Sequence, residues 1–168
     1  MQERLTKIKL LALDVDGVLT DGTINIGDNG ELYKGFNAKD GLGISCALRS
    51  GLQVAIITGR KSAIIHKRAA ELGITLLREG VKDKYAELVK IADELGFTQE
   101  QIAYMGDDLN DLPAFKAAGE VLAYANCVVK KDGGRGAVRL AVEMILKAQN
   151  KWEQLVASYL ESGQGDKQ

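Results

Sequence analysis

Leu10-Leu11-Ala12-Leu13-Asp14-Val15-Asp16-Gly17-Val18 is a short apolar run that ends in two carboxylates spaced one residue apart. Residues i and i+2 of a strand share a face, and a chain that stops being a strand at Asp14 turns Asp16 back over the same crevice. Open α/β sheets place their chemistry outside the carboxyl ends of their strands. Two carboxylates held so close repel each other unless a cation lies between them. The stretch therefore predicts the first strand of a parallel sheet, a divalent metal at its end, and an aspartate acting as nucleophile or acid/base.

Working outward, strands and helices alternate, which predicts an α/β fold: a doubly wound, Rossmann-like parallel sheet with helices on both faces. The further strands are Gln53–Thr58, Ile74–Leu77 and Ile102–Met105. Between them, Gly41–Ser50 reads as a helix begun by an Asp40 cap, and Lys61–Leu72 as one closed by Gly73. Lys82–Leu95 repeats apolar residues at Tyr85, Leu88, Val89, Ala92 and Leu95, a helical face turned to a sheet. Thr98 and Gln101 have capping-box spacing. Gly136–Tyr159 reads as one long amphipathic helix, and 161–168 as a disordered polar tail.

Residues 22–36 break the alternation. Thr23-Ile24-Asn25-Ile26 and Glu31-Leu32-Tyr33-Lys34 flank Gly27-Asp28-Asn29-Gly30, the composition of a hairpin turn. A lone hairpin is marginal in water, so its apolar residues predict packing on a neighbouring subunit.

The 168 residues suit one domain, 1–160 including the hairpin, able to bury a core unaided. Lys and Arg total 22 against 23 Asp and Glu, a balance that gives no support to a nucleic-acid or membrane partner. Cys46 and Cys127 have no Cys-x-x-Cys spacing and read as buried free thiols of a cytoplasmic protein. Met1–Lys9 has neither the apolar run of a signal peptide nor that of a membrane span.

Four carboxyl strand ends carry reactive groups: Asp14 and Asp16; Thr58-Gly59-Arg60; Lys84 after the third strand; and Gly106-Asp107-Asp108 with Asp111 one turn on. Each alone is ordinary, but no packing requirement explains acids at converging strand ends. Phosphoryl transfer needs this set, because its transition state is stabilised by positioning and by charge neutralisation of the equatorial oxygens. The Thr58 hydroxyl and Lys84 ammonium are donors to such oxygens. Mg²⁺ takes one or two carboxylates with water and substrate oxygen, and Asp14 and Asp107 fit as those carboxylates. A carboxylate can attack phosphorus, and a second one two residues on can serve the leaving alkoxide and then water.

In order and position these motifs resemble those of the haloacid dehalogenase superfamily phosphatases, over residues 8 to 118. Val15–Gly22, Phe36–Gly41, Ile56–Arg60 and Gly133–Arg139 are further similar to the family that acts on 3-deoxy-D-manno-octulosonate (KDO) 8-phosphate. The resemblance implies a capless fold, a homotetramer built through the hairpin, and a Mg²⁺-dependent phosphatase of a sugar acid phosphate in lipopolysaccharide precursor synthesis. It implies that Asp14 is the nucleophile and Asp16 the general acid/base, which also meets Mg²⁺ through its carbonyl. Asp107 completes the metal site with support from Asp108 and Asp111, and Thr58 and Lys84 hold phosphate. For the sugar acid it implies Asn37, Ala38, Lys39, Asp40, Gly41, Arg60 and Arg68. Arg135, between glycines, reads as part of a flexible segment closing over an anion, in its own or a neighbouring subunit. His66 reads as a surface helix residue.

Two departures qualify the match. Ser45 stands where some relatives carry a substrate-facing arginine. After Ala117-Ala118-Gly119 the family pattern has another short strand and its loop, whereas Glu120–Asn126 follows at once, as though roughly ten residues were absent. Losing that strand would bare the sheet edge beside Asp107, so the expectation is a loop left out of this sequence. Two other functions compete: a nine-carbon sialic-acid-type 9-phosphate as substrate, and a non-enzyme role as a receiver-like domain or an idle oligomerisation partner. A receiver places its phosphoacceptor on a mid-chain strand, whereas here the acids open the first.

Overall fold

The computed structural model describes residues 2–115, 120–121 and 129–162. A five-stranded parallel sheet in the order β5-β4-β1-β6-β7 is built from β1 (Leu10–Leu13), β4 (Gln53–Thr58), β5 (Leu76–Glu79), β6 (Ile102–Met105) and β7 (Glu120–Val121). The central strands are buried on both faces, which is why they read as unbroken apolar runs. Successive side chains take opposite faces. Leu11, Leu13, Val54, Ile56, Ala103 and Met105 join one apolar cluster, while Leu10, Ala12, Ala55, Ile57, Ile102 and Tyr104 join the other.

Helices α2 (Ala38–Arg49), α3 (Ala63–Leu72), α6 (Ala137–Ala148) and α7 (Trp152–Ser162) cover the first face, with the short α1 (Gln2–Leu5). Helices α4 (Lys84–Leu95) and α5 (Leu112–Phe115) cover the second. The chain steps from β1 to β4 and β5 on one side and returns to β6 and β7 on the other. The switch in direction opens a crevice at the carboxyl ends of β1 and β6.

The hairpin forms as a separate antiparallel pair, β2 (Asn25–Gly27) and β3 (Gly30–Tyr33), with Gly30 at φ 107 in its turn. Ile26, Leu32 and Tyr33 are all more than half exposed on it. The Thr98–Gln101 capping box is present, and Cys46 is a buried free thiol; Cys127 lies outside the described residues.

Several expectations are corrected. The predicted 136–159 helix is two, broken where Asn150 takes φ 56. There Gln149 Nε2 donates to the carbonyls of Leu5 and Ile8, and Lys151 Nζ to that of Ser50, so tertiary bonds outbid continuation of the helix. Helix α7 continues through Glu161 to Ser162, into the segment read as a tail; 163–168 lie outside the described residues. The third strand runs from Leu76 to Glu79, two residues later than read, because Ile74 is spent on closing α3 at Gly73. Tyr85 is exposed rather than on the buried face of α4. Glu120–Val121 pair with Ala103 and Tyr104 and so cover that part of the β6 edge. Residues 116–119 and 122–128 lie outside the described ones.

Asp40 is the largest reassignment. Asn37 caps α2, its Oδ1 accepting from the Lys39 amide at 2.8 Å. Asp40, 2% exposed, instead accepts from the Gly136 and Arg139 amides at 3.1 and 2.8 Å, capping α6 from across the fold. Burial raises its pKa, against the opposing pull of those amides.

Candidate active site

Asp14, 5% exposed, follows β1, and its amide donates to the Met105 carbonyl, which extends the ladder to the last residue before the turn. Gly17 at φ 88 then reverses the chain, and a side chain there would run into the Asp107 carboxylate. The glycine of the first motif thus lets the fourth strand's acid lie against the first strand's turn.

Beneath these acids lies a buried polar network. Lys84, the first residue of α4, sends its ammonium 2.9 Å from Asp14 Oδ2 and 2.7 Å from Asp111 Oδ1. Asp111 has no exposure. Its Oδ1 also accepts the Tyr104 hydroxyl at 2.5 Å, and its Oδ2 accepts the amides of Asp107 and Asp108 at 3.0 and 3.3 Å. Burial alone would lower the Lys84 pKa, but Asp14 and Asp111 outweigh it and hold the group charged. Burial pushes Asp14 up to about 6, against the pull of Lys84 and with the push of Asp111. Asp107 rises for like reasons: burial first, then the charges of Asp111 and Asp108. Tyr104 is raised by burial and by Asp111, so its hydroxyl stays a donor.

Carboxylate oxygens of Asp14, Asp107 and Asp111 lie within 4.8 Å of one another. Asp107 Oδ1 is buried and without a hydrogen-bond partner among the described residues. An acceptor in that condition costs free energy unless a cation or donor meets it. Asp111 already serves four donors, so Asp14 and Asp107 are the side chains suited to hold a hard divalent ion, with Asp111 fixing the turn that carries Asp107.

Above the acids opens a cleft of about 210 Å³, lined among others by Asp14, Asp16, Thr58, Arg60, Asp107 and Asn110. Thr58 is buried at its floor, and Arg60 reaches its mouth with Nε 3.9 Å from Asp16 Oδ2. Asp108 lines it too, whereas the residues predicted for the sugar acid other than Asp16 and Arg60 do not. Asn37 Nδ2 donates to the Gly134 carbonyl, while Ala38 and Lys39 are exposed. Gly41 makes room for the Arg68 guanidinium, which pairs with Glu71 at 2.9 Å and lies over Phe36. His66 faces Glu79 on the surface. Arg135 is exposed, but its neighbours are tightly packed: side chains at Gly133 or Gly134 would strike the Gly17–Asp21 backbone, and the Gly134 amide donates to the Val18 carbonyl. Close backbone approach, not freedom to move, accounts for those glycines.

Sequence reading missed Lys34, Glu31 and Tyr104. Lys34 Nζ stands 2.5 Å from Asp16 Oδ1. A tyrosine inside the four-residue buried strand β6 was itself a signal, since a buried hydroxyl needs a partner. Lys34 offered none, because its partner lies across a hairpin.

The haloacid dehalogenase-like hydrolase family matches residues 43–119. The chain is 45% identical over 157 residues to the 3-deoxy-D-manno-octulosonate 8-phosphate phosphatase of Escherichia coli, covering 88% of this chain and 84% of that one. Among solved structures, the corresponding phosphatase of Moraxella catarrhalis, in complex with magnesium, phosphate and KDO, is 40% identical and superposes with a TM-score of 0.89, covering 94% and 97% of the two chains. The cobalt-bound enzyme of Haemophilus influenzae is 41% identical at a TM-score of 0.85, covering 88% and 92%. Shared over nearly the full length of both chains, a phosphatase fold whose acids meet at the β1–β6 crevice places this protein in the 3-deoxy-D-manno-octulosonate 8-phosphate phosphatase family of haloacid dehalogenase-like hydrolases.

Proposed function

We propose that this protein hydrolyses KDO 8-phosphate to KDO and phosphate, using Mg²⁺ and an aspartyl-phosphate on Asp14. The observation that carries the reading is the buried Asp107 Oδ1, without a hydrogen-bond partner among the described residues, beside Asp14 in a chain of this family. Asp14 and Asp107, with the Asp16 carbonyl, would hold Mg²⁺, which when bound neutralises charge on the phosphoryl oxygens. Lys84 fixes one Asp14 oxygen and leaves the other for attack on phosphorus. As that O–P bond forms, the bond from phosphorus to the sugar oxygen breaks, and Asp16 protonates the departing alkoxide. Asp16, now a carboxylate, takes a proton from the water that displaces phosphate from Asp14. Thr58 and Lys84 present donors to the transferring group, with Asp108 and Asp111 supporting Asp107.

Arg60 at the cleft mouth is the cation placed for the sugar's carboxylate. Asn37, Ala38, Lys39, Arg68 and Arg135 lie outside the cleft lining and would meet substrate only across a subunit boundary, while Asp40 and Gly41 are buried within the fold. A homotetramer formed through the hairpin is therefore part of the reading, supported by exposed Ile26, Leu32 and Tyr33. Leu32→Asp should give a smaller particle in light scattering, and a wild-type monomer with full activity would contradict the assembly. Among the described residues no helix is long and apolar enough to cross a membrane, and the buried thiol of Cys46 suits a cytoplasmic enzyme.

Phosphate release from purified KDO 8-phosphate and from a nine-carbon sialic-acid-type 9-phosphate tests the substrate. The reading expects a clear preference in kcat/KM for the eight-carbon sugar, and equal values would remove the assignment. The acid cluster yields a second expectation. Asp14 is raised from 3.8 to about 6 in the fold. A carboxyl whose folded pKa is raised contributes stability that is present below the unfolded pKa and lost as pH rises through the folded one. In EDTA, Tm should fall between about pH 4 and 6, with Asp107 acting in the same direction. Since the cation needs both carboxylates ionised, Mg²⁺ should raise Tm more at pH 7.5 than at pH 4.5. Equal gains at the two pH values would count against this metal site.

A further inference from the structure

The two acids assigned to the reaction are each gripped by a buried lysine, and each lysine is braced by a second carboxylate that does not line the cleft. For Asp14 the pair is Lys84 and Asp111. For Asp16 it is Lys34 and Glu31. The Lys34 side chain is 2% exposed, and its Nζ lies 2.5 Å from Asp16 Oδ1 and 3.1 Å from Glu31 Oε1. The other Glu31 oxygen accepts the Ser62 hydroxyl, and Ser62 Oγ in turn accepts the Ile65 amide as the N-cap of α3. A continuous chain of bonds thus runs from the body of the domain, through the hairpin, to the acid/base. Asp16 Oδ2 faces Arg60 Nε at 3.9 Å, and Asp16 lines the cleft.

From this juxtaposition we propose that Lys34 is a positioning residue for Asp16, fixing Oδ1 so that Oδ2 is the oxygen that exchanges the proton. The inference rests on the acid/base role given to Asp16 above. A lysine is suited to it: a buried ammonium with three donors can hold two carboxylates in register, and Glu31 offsets the charge that burial would otherwise penalise. The hairpin then does more than offer an apolar tip. Its base carries part of the geometry of the proton transfer, so a change in hairpin seating reaches the reaction through Lys34.

A double-mutant cycle on the full-length, Mg²⁺-loaded protein tests this, with KDO 8-phosphate as substrate. Lys34→Met should lower kcat by about 10- to 100-fold, with KM and the Mg²⁺ concentration for half-maximal rate changed by less than about threefold. In an Asp16→Asn background, the same substitution should lower the residual kcat by less than about threefold, because the group it positions is gone. Lys34→Arg serves if the methionine variant does not fold. A guanidinium forced into the same closed slot should lower kcat by about tenfold and show the same loss of effect without Asp16. Wild-type kcat in the folded variants, a loss confined to KM, or an equal loss with and without Asp16 would overturn the proposal. An inactive wild type, or a fully active Asp14→Asn, would instead overturn the phosphatase reading.

Discussion

Asp14→Asn is expected to reduce turnover of KDO 8-phosphate by about 10⁴-fold or more, equivalent to about 5.5 kcal/mol of barrier, with the fold intact. The amide keeps the shape of the carboxylate but is a poor nucleophile towards phosphorus and a weaker ligand for a hard cation. Stability should move little. The fold already disfavours the Asp14 charge, as its raised pKa shows, and Lys84 keeps Asp111 as its second partner. Tm within a few degrees of wild type, with turnover abolished and no phosphate on the protein, is the expected pattern. Full activity would remove Asp14 from the chemistry; loss of the fold would make it a structural residue.

Asp111→Ala is expected to have the largest effect on stability. The carboxylate has no exposure and serves Lys84, Tyr104 and the amides of Asp107 and Asp108. Its removal strands a buried hydroxyl and two amides and leaves the Lys84 ammonium with Asp14 alone. Breaking a buried ion pair from one side costs about 3–5 kcal/mol. Asp111 also repels Asp14 and Asp107, so relief of like charge offsets part of this. At about 2–4 °C per kcal/mol for a chain of this size, Tm should fall by about 10 °C. Turnover should fall as well, because Lys84 and the Asp107 turn lose their anchor. Tyr104→Phe removes one donor to the same oxygen and should cost about 1 kcal/mol. Thermal unfolding followed by circular dichroism orders the three proteins, and an Asp111→Ala Tm within 2 °C of wild type would contradict this account of the network.

The sheet and the acid cluster were legible in the sequence because both are written locally. Buried parallel strands are short apolar runs, and Asp14, Thr58 and Asp107 each sit at or just past the end of one, so their positions follow from the sequence. The hairpin was legible from its glycine-rich turn. What escaped depends on partners distant in sequence. The apolar pattern of α6 and α7 runs on past residue 150, and only the bonds of Gln149 and Lys151 to Leu5, Ile8 and Ser50 explain the break. Asp40 has the sequence signature of a cap, and it is one, for a helix some hundred residues away. Lys34 carries no signal of its own in the sequence, because alternation says which face a side chain takes, not what fills the space opposite. Arg68 rests on resemblance and Arg135 on its flanking glycines, and in one subunit neither lines the cleft.

The covalent step is the centre of the account, and trapping it is the most direct test. Wild-type protein turning over KDO 8-phosphate with Mg²⁺ is quenched in acid and reduced with borohydride, which converts an aspartyl-phosphate to homoserine, and its peptides are read by mass spectrometry. The account predicts homoserine at position 14, dependent on substrate and absent from Asp14→Asn. Rapid phosphate release with residue 14 unmodified, or with the modification on another aspartate, would contradict it.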